Sequence, residues 1–360
     1  MSKVYYLPVS VSRLDREVSL PARFEKLLRK LRLDRFCEGK RVAIKMHLGG
    51  EYTYTLVHPA FVSRVVAAVK DAGGRPFVTD HNPPRAANGY TEETLGCPIV
   101  HATGGRDKYF YSVPVDFPGM DSVEVAGYIH DSDALITLNH AKGHGHCAFG
   151  GAIKNLAMGA VTARTRGAIH HTFARETYWD EDLCTHCGAC VENCRGNAIR
   201  FTKKGRLFIE FHDCNYCMRC VAICPSGALT VNGENYLLFQ QAMALAARTV
   251  LSSFKRGSTL HINFMLEMTS LCDCFGFSFA PCFPDVGIAA SKDIVAVEQA
   301  TLDMMADLPV IPGMLPEGIH MRGKGEHVLQ RMWGKDPYVQ VRAAEEIRMG
   351  GSDYAIEEMA

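Results

Sequence analysis

Eight of the fourteen cysteines fall between Cys184 and Cys224, in two runs with the same spacing, C-x2-C-x2-C-x3-C. The first run is Cys184, Cys187, Cys190 and Cys194. The second, Cys214, Cys217, Cys220 and Cys224, repeats it 30 positions later, and the following segments RGNAI (195–199) and PSGAL (225–229) align as well. Duplication is the simplest account. Three thiolates in a tight loop can each reach a different iron of one cubane, whereas the fourth, carried off on the next turn, reaches the other cubane. The spacing therefore predicts two [4Fe-4S] clusters, one on Cys184, Cys187, Cys190 and Cys224, the other on Cys214, Cys217, Cys220 and Cys194. Zinc fits less well, because zinc knuckles use two separated ligand pairs and not four cysteines within eleven residues.

This stretch resembles the bacterial two-cluster ferredoxin family over about 50 residues, and the resemblance implies one-electron transfer. Arg195 stands where that family has proline, while Pro225 keeps it in the second run; the added positive charge should raise the potential of the neighbouring cluster. Between 176 and 232 there are seven acidic and six basic side chains, so no general acidic docking face is expected. That favours an internal electron wire over a diffusing carrier.

A second constellation is Asn139-His140-Ala141-Lys142-Gly143-His144-Gly145-His146-Cys147, followed by Gly150, Gly151, Lys154 and Asn155. Gly150-Gly151 at a helix start would let a ligand approach bare backbone N–H groups, with Lys142, Lys154 and Asn155 beside it, so an anionic ligand is one expectation. Three histidines and a cysteine can equally hold a transition metal. Lys45 and His47 share one face of a strand end, and Asp80 and His81 end another, on the same rim if the sheet is parallel. Cys272 and Cys274, with Cys282 eight residues on, cannot easily close a relaxed disulfide at i and i+2, yet in extended backbone they share a face and can ligate a metal or receive electrons. Lys45, His47, His144, Lys154, Cys272 and Cys274 are thus the candidate catalytic residues. Cys37 and Cys97 are expected to be structural.

The elements that must position these residues read as α/β. Lys3 to Val9, Arg41 to Leu48, Pro76 to Asp80, Ala134 to Asn139, Thr259 to Leu266 and Gly287 to Ala290 have strand patterns; Ala22 to Leu33, Pro59 to Asp71, Gly150 to Met158, Asn235 to Phe254 and Asp293 to Met305 have helical ones. The alternation predicts a mostly parallel, doubly wound host domain (1–175 and 234–310) interrupted by a small α+β ferredoxin-like module (176–233). Residues 311–360 read as a loosely packed extension with one helix near Val341 to Met349.

Lysine plus arginine and aspartate plus glutamate number 39 each, so no global field favours nucleic acid or an anionic membrane. No stretch approaches the roughly 18 apolar residues of a span, and a cytoplasmic protein is expected, plausibly in an anaerobic host. Neither G-x-G-x-x-G after a strand nor a P-loop occurs. The Lys45 strand, GGAIKNLAMG (150–159) and CDC (272–274) with PDVGIAASKDIVAVEQA (284–300) are similar to the domain of unknown function numbered 362, in versions with a ferredoxin insert. That resemblance implies an iron–sulfur protein with an α/β host and no assigned reaction. His144, Gly150, Gly151, Lys154 and Gly159 are also spaced as in the nickel-pincer lactate racemase superfamily, but Met158 replaces its proline, and no nickel pincer is expected. Two functions remain open: an oxidoreductase whose clusters pass electrons to a substrate or metal in the host domain, or a non-enzymatic electron-transfer subunit or metal-delivery factor serving a partner protein.

Overall fold

The computed structural model describes residues 1–10, 12–84, 86–174, 177–194, 196–211, 213–214, 218–232, 234–316, 319, 321 and 325–359. Cys217 and Arg195 lie outside the described residues, as do residues 175, 176 and 233 at the expected module boundaries.

Strands with apolar side chains on both faces need a layer of helices on each side. In the strand Arg41–Met46, Val42, Ile44 and Met46 enter one core while Ala43 enters the other. Ile136 and Leu138 against Leu135 repeat this alternation in Ala134–His140. We number the main strands β1 (Ser2–Pro8), β2 (Arg41–Met46), β3 (Arg75–Asp80), β4 (Ile99–His101), β5 (Ala134–His140), β6 (Thr259–Met265), β7 (Gly287–Ser291) and β8 (Tyr354–Glu358). They form one sheet in the order β8-β1-β7-β6-β5-β2-β3-β4. β7 pairs antiparallel with both β1 and β6, and the other pairings are parallel. The α/β, mostly parallel, doubly wound architecture is therefore as the sequence implies.

One face is covered by α1 (Leu20–Lys30) and α2 (Pro59–Asp71), through Phe24, Leu27, Val62, Val65 and Val69. The other is covered by α3 (Ala152–Gly159), α4 (Ala163–His171), α5 (Asn235–Leu251) and α6 (Ile294–Met305). Pro59 at the start of α2 fits the helix's first turn, and Asp293 caps α6 by accepting from the Val295 and Ala296 amides. A hairpin of Phe110–Phe117 and Met120–Ala126, unmarked in the sequence reading, adds Val123 and Val125 to the second core.

The expectation of a loose C-terminal segment is overturned. Helices α7 (Val328–Trp333) and α8 (Val339–Glu346) bury Leu329, Met332, Trp333 and Val341, and β8 closes the sheet edge beside β1, with Val4 opposite Ile356. The Pro- and Gly-rich run before α7 hid this, because composition does not report what a distant chain end packs against.

Between α4 and α5 lies a small α+β region. Tyr178–Trp179 pairs with Leu229–Thr230, Ile199–Phe201 pairs with Leu207–Ile209, and the short helices Ala189–Glu192 and Arg219–Ile223 pack together. No helix among the described residues is long and apolar enough to cross a membrane.

Arg23 ties the chain's two ends. Buried on α1, it donates to Pro8 O (2.9 Å), Ser10 Oγ (3.0 Å) and Met359 O (2.9 Å). Loss of such bonds strands carbonyls that would cost about 1–3 kcal/mol unsatisfied, so Arg23→Met should raise amide exchange in 354–359 roughly 10- to 100-fold. Exchange in β5 and β6 should not change, and equal acceleration there would show that the contact supports the whole fold instead.

Candidate functional site

The carboxyl ends of β2, β3 and β5 meet α3 around a cavity of about 140 Å³. It sits between β5 and β2, where the strand order reverses and open α/β sheets characteristically bind ligands. Its lining includes Lys45, His47, Asp80, His140, Lys142, Lys154, Asn155, Arg166 and Cys274. Two loops zip together at its mouth: Tyr52 N donates to Gly276 O (2.9 Å), Ser278 N to Tyr52 O (3.0 Å), and Thr55 Oγ1 bonds Ser278 Oγ (2.8 Å). Gly50 allows this, since a Cβ there would lie 2.2 Å from Gly276 Cα.

Lys45, fully buried, bonds Asp80 Oδ1 (3.0 Å) and Asn155 Oδ1 (2.5 Å). Burial pulls the lysine below its usual range, with Asp80 opposing the shift. Asp80 also accepts from His47 Nδ1 (3.1 Å) and Leu48 N (3.0 Å). Burial alone would raise the Asp80 carboxyl, but Lys45, His47 and the Leu48 amide together hold it well below the carboxylate range. With the carboxylate accepting from Nδ1, the other ring nitrogen of His47, Nε2, is buried and has no hydrogen-bond partner among the described residues. Gly159 permits the arrangement: a Cβ there would sit 2.3 Å from Lys45 Nζ. His81, expected on this rim, instead turns to Asp107 Oδ1 (3.1 Å) and the His101 ring.

The His140 loop divides. Lys142–His144 pairs antiparallel with Ala148–Gly150. His140 Nδ1 and Lys142 Nζ both bond Asp273 Oδ2, at 2.9 and 2.8 Å. Burial would raise Asp273, but Lys142 and the hydrogen bond from His140 hold it well below the usual range. His146 leaves the cavity and packs on Phe173 (4.3 Å) and Phe239 (5.3 Å). Cys147 is buried with its thiol donating to Phe149 O, and burial pushes it up to about 12. The three histidines therefore do not form one metal site.

Lys154 Nζ donates to Cys272 Sγ (2.8 Å), and so does the Cys274 amide (3.2 Å). Burial would raise the Cys272 thiol, but the Cys274 thiol, Lys154 and His144 draw it well below its ordinary value; Cys274, bonded to the Cys272 sulfur, is raised. The Cys272 and Cys274 sulfurs and a His144 ring nitrogen lie within 4.8 Å of one another, a grouping that suggests a metal. The hydrogen bonds oppose that reading. His144 Nδ1 accepts the His146 backbone N–H (3.0 Å), so a neutral ring carries its proton on Nε2, facing Cys274 Sγ at 3.9 Å. A metal-bound histidine normally donates from its second nitrogen; here that nitrogen accepts. Cys282 is elsewhere, buried with its thiol pushed up to about 12, and burial raises Cys37 and Cys97 to about 12 and about 11.

The expected Gly150-Gly151 anion site is corrected. The amides of Ala152 and Ile153 at the start of α3 are taken by Glu298 Oε1 (2.7 Å) and Oε2 (3.4 Å), and a Cβ on Gly151 would lie 2.3 Å from Oε1. Glu298 carries only a faint sequence signal, an acid directly after the apolar run IVAV (294–297) of α6. It begins a buried relay. Asn263 Nδ2 donates to Glu298 Oε1 (3.0 Å), Asn139 Nδ2 to Asn263 Oδ1 (2.9 Å), and Asn155 Nδ2 to Asn139 Oδ1 (2.7 Å), ending at Lys45.

In the cysteine-rich region, Cys194 of the first run lines one small cavity with Cys214 and Cys220 of the second. Burial and the neighbouring Cys224 and Cys184 sulfurs push the Cys190 thiol up. Phe211 from this region stacks on Phe173 (5.7 Å), which packs on His146, whose ring is 5.7 Å from His144. Lys335 bonds both Phe211 O (3.3 Å) and Gly145 O, fastening the region to the His140 loop.

Against known proteins, the family described as "Domain of unknown function (DUF362)" matches residues 42–303. A ferredoxin from Pyrobaculum islandicum is 34% identical over 55 residues, 15% of this chain and 51% of the relative, so the chain spans about half that relative's length. The lactate racemase apoprotein from Thermoanaerobacterium thermosaccharolyticum superposes with a TM-score of 0.41 at 10% identity, covering 79% of this chain and 56% of that one.

Burial raises the Glu298 carboxyl to about 7 against a hydrogen-bonded background that lowers it. Because the folded value exceeds the ordinary glutamate value of 4.5, the folded state binds the proton more tightly; this stability is complete below pH 4.5 and is lost as pH rises through 7. The urea-unfolding free energy of wild type minus that of Glu298→Gln should fall by on the order of 3 kcal/mol between pH 4.5 and 8. A difference that is flat with pH would mean that Glu298 titrates normally.

Proposed function

Given that the chain belongs to the DUF362 family and carries an inserted ferredoxin-like module, we propose that it is an iron–sulfur redox protein serving the cavity between β5 and β2. Two [4Fe-4S] clusters, held by Cys184, Cys187, Cys190 and Cys224 and by Cys214, Cys217, Cys220 and Cys194, would supply electrons singly. The observation that carries the proposal is the crossed grouping of sulfurs, Cys194 with Cys214 and Cys220, and Cys190 beside Cys184 and Cys224. No sulfur among the described cysteines of these runs is in a disulfide, so the donor set suits iron.

The chain's own residues prepare the acceptor end. Lys45 holds Asp80, and Asp80 orients His47 so that Nε2 can give or take a proton within the cavity. Lys142 and His140 neutralise Asp273, and Lys154 neutralises the Cys272 sulfur. Arg166 lines the same cavity without an acidic partner among the described residues, so an anionic substrate, most simply a carboxylate, suits the charge left over. Fixing donor module and substrate cavity in one chain removes a docking step, and the ring contacts from Phe211 through Phe173 and His146 join the two regions.

Anaerobically purified protein should hold about eight irons and eight sulfides per chain, the sum for two cubanes, and Cys194→Ser should disturb the signal of one cluster in electron paramagnetic resonance. Dithionite-reduced clusters should be reoxidised by a subset of small oxo- or unsaturated carboxylates, and His47→Ala should slow that reoxidation at least roughly 10-fold. Zinc in place of iron would remove the proposal. Clusters that stay reduced with every such acid, yet are oxidised by a partner protein, would transfer it to the electron-transfer subunit reading.

A further inference from the structure

Each buried lysine at the rim has one anion. Lys45 has Asp80 and Lys142 has Asp273, but Lys154 contacts no carboxylate among the described residues; its partner is the Cys272 sulfur at 2.8 Å. A fully buried ammonium without a counter-charge is strongly disfavoured, so one negative charge belongs to the sulfur site. That charge has a second thiol beside it: the Cys272 and Cys274 sulfurs lie within 4.8 Å of each other, and the Cys274 amide donates to Cys272 Sγ at 3.2 Å. Cys272 is 1% exposed and does not line the cavity, whereas Cys274 is exposed and does.

We propose that Cys272 and Cys274 act as one singly charged dithiol, in which Cys274 at the cavity mouth bonds to an electrophilic carbon of a small carboxylate while its proton passes to the Cys272 sulfur. In the addition, a sulfur–carbon bond forms and the electrophile's own π pair moves onto its oxygen or its neighbouring carbon. No leaving group, oxidant or outside reductant is needed. Lys154 and the Cys274 amide hold the charge on Cys272 at rest, and His144 Nε2–H faces Cys274. Arg166 supplies the unmatched cation for the carboxylate. The inference rests on the cavity being a substrate site and needs no statement about the clusters.

The titratable groups facing the pair are Lys154, Lys142, His144, His170, Cys147 and Asp273. Burial draws His170 down to about 4 and pushes Cys147 up to about 12, so neither carries charge near neutrality. Lys142 and His140 both bond Asp273, which leaves Lys154 as the cation in direct contact with the pair.

The test is alkylation of the full-length, anaerobically prepared protein with iodoacetate and iodoacetamide, read by peptide mass spectrometry while cluster absorbance is followed. At pH 6, Cys274 should label first, roughly 10-fold or more faster than glutathione, whose thiol is ordinary and mostly protonated there. Iodoacetate should react faster than iodoacetamide relative to their ratio with glutathione, and Arg166→Gln should abolish that preference without slowing iodoacetamide. Cys272→Ser and Lys154→Met should each slow labelling of Cys274 at pH 6 by roughly 10-fold or more, and pH 9 should restore Lys154→Met, because ordinary thiols ionise there. Labelling of Cys274 at pH 6 no faster than glutathione would overturn the proposal. So would stoichiometric protection of both thiols by zinc that is lost in His144→Ala, since that would make them metal ligands. Because labelling is scored on residues 272–274, absence of clusters would sink the redox reading and leave this result standing.

Discussion

Charge buried at the carboxyl rim of a parallel sheet is the constraint around which this site is organised. Lys45, Lys142 and Lys154 are at most 9% exposed, so little of each ammonium can be solvated. Each is therefore matched at about 3 Å, by Asp80, Asp273 and Cys272 respectively. Two of these partners are carboxylates, and the third is a sulfur whose thiol the Cys274 side chain, Lys154 and His144 draw below its ordinary value. Removing one member of such a pair leaves an uncompensated charge and costs about 3–5 kcal/mol, so the site's geometry and the stability of that edge are not separable. Among the described residues, Arg166 lines the cavity outside this pairing.

The same economy of partners shapes the polar interior behind the cavity. Glu298 satisfies the first amides of α3, a place where the helix would otherwise attract an external anion. Asn263, Asn139 and Asn155 then carry hydrogen bonds across the sheet from α6 to Lys45. Glycines make room where these groups converge, Gly151 against Glu298 and Gly159 against Lys45 and Asp80. The helix start is thus a structural joint, and His47, Arg166 and Cys274 line the cavity beside it.

The cysteine-rich region is coupled to this rim through packing. Lys335, which follows α7, reaches both Phe211 and Gly145, and Trp333 donates to Ser270 O (3.1 Å) just before the Cys272 segment. The C-terminal residues thereby brace the loops on which His144 and Cys272 sit. Their low-complexity appearance before α7 conceals that role.

Period and spacing made much of this molecule legible without coordinates. The limits of α2, Pro59 to Asp71, follow from proline in the first turn and glycines after the last, and the buried strands announce themselves as short β-branched runs. The convergence of Lys45 and His47 on one face is a consequence of two-residue alternation, and the cysteine duplication fixes which sulfurs are available to iron. Such features are local, decided by residues within a few positions of one another. Which anion each lysine finds is not local: Lys154 and Cys272 are 118 positions apart, Lys142 and Asp273 lie on different segments, and Glu298 enters from 146 positions away to fill the start of α3. Nor could periodicity show that His81 and His146 turn aside, that β7 is reversed, or that β8 completes the edge. Those outcomes depend on competition among distant groups for burial and for charge, and only the packed chain resolves it.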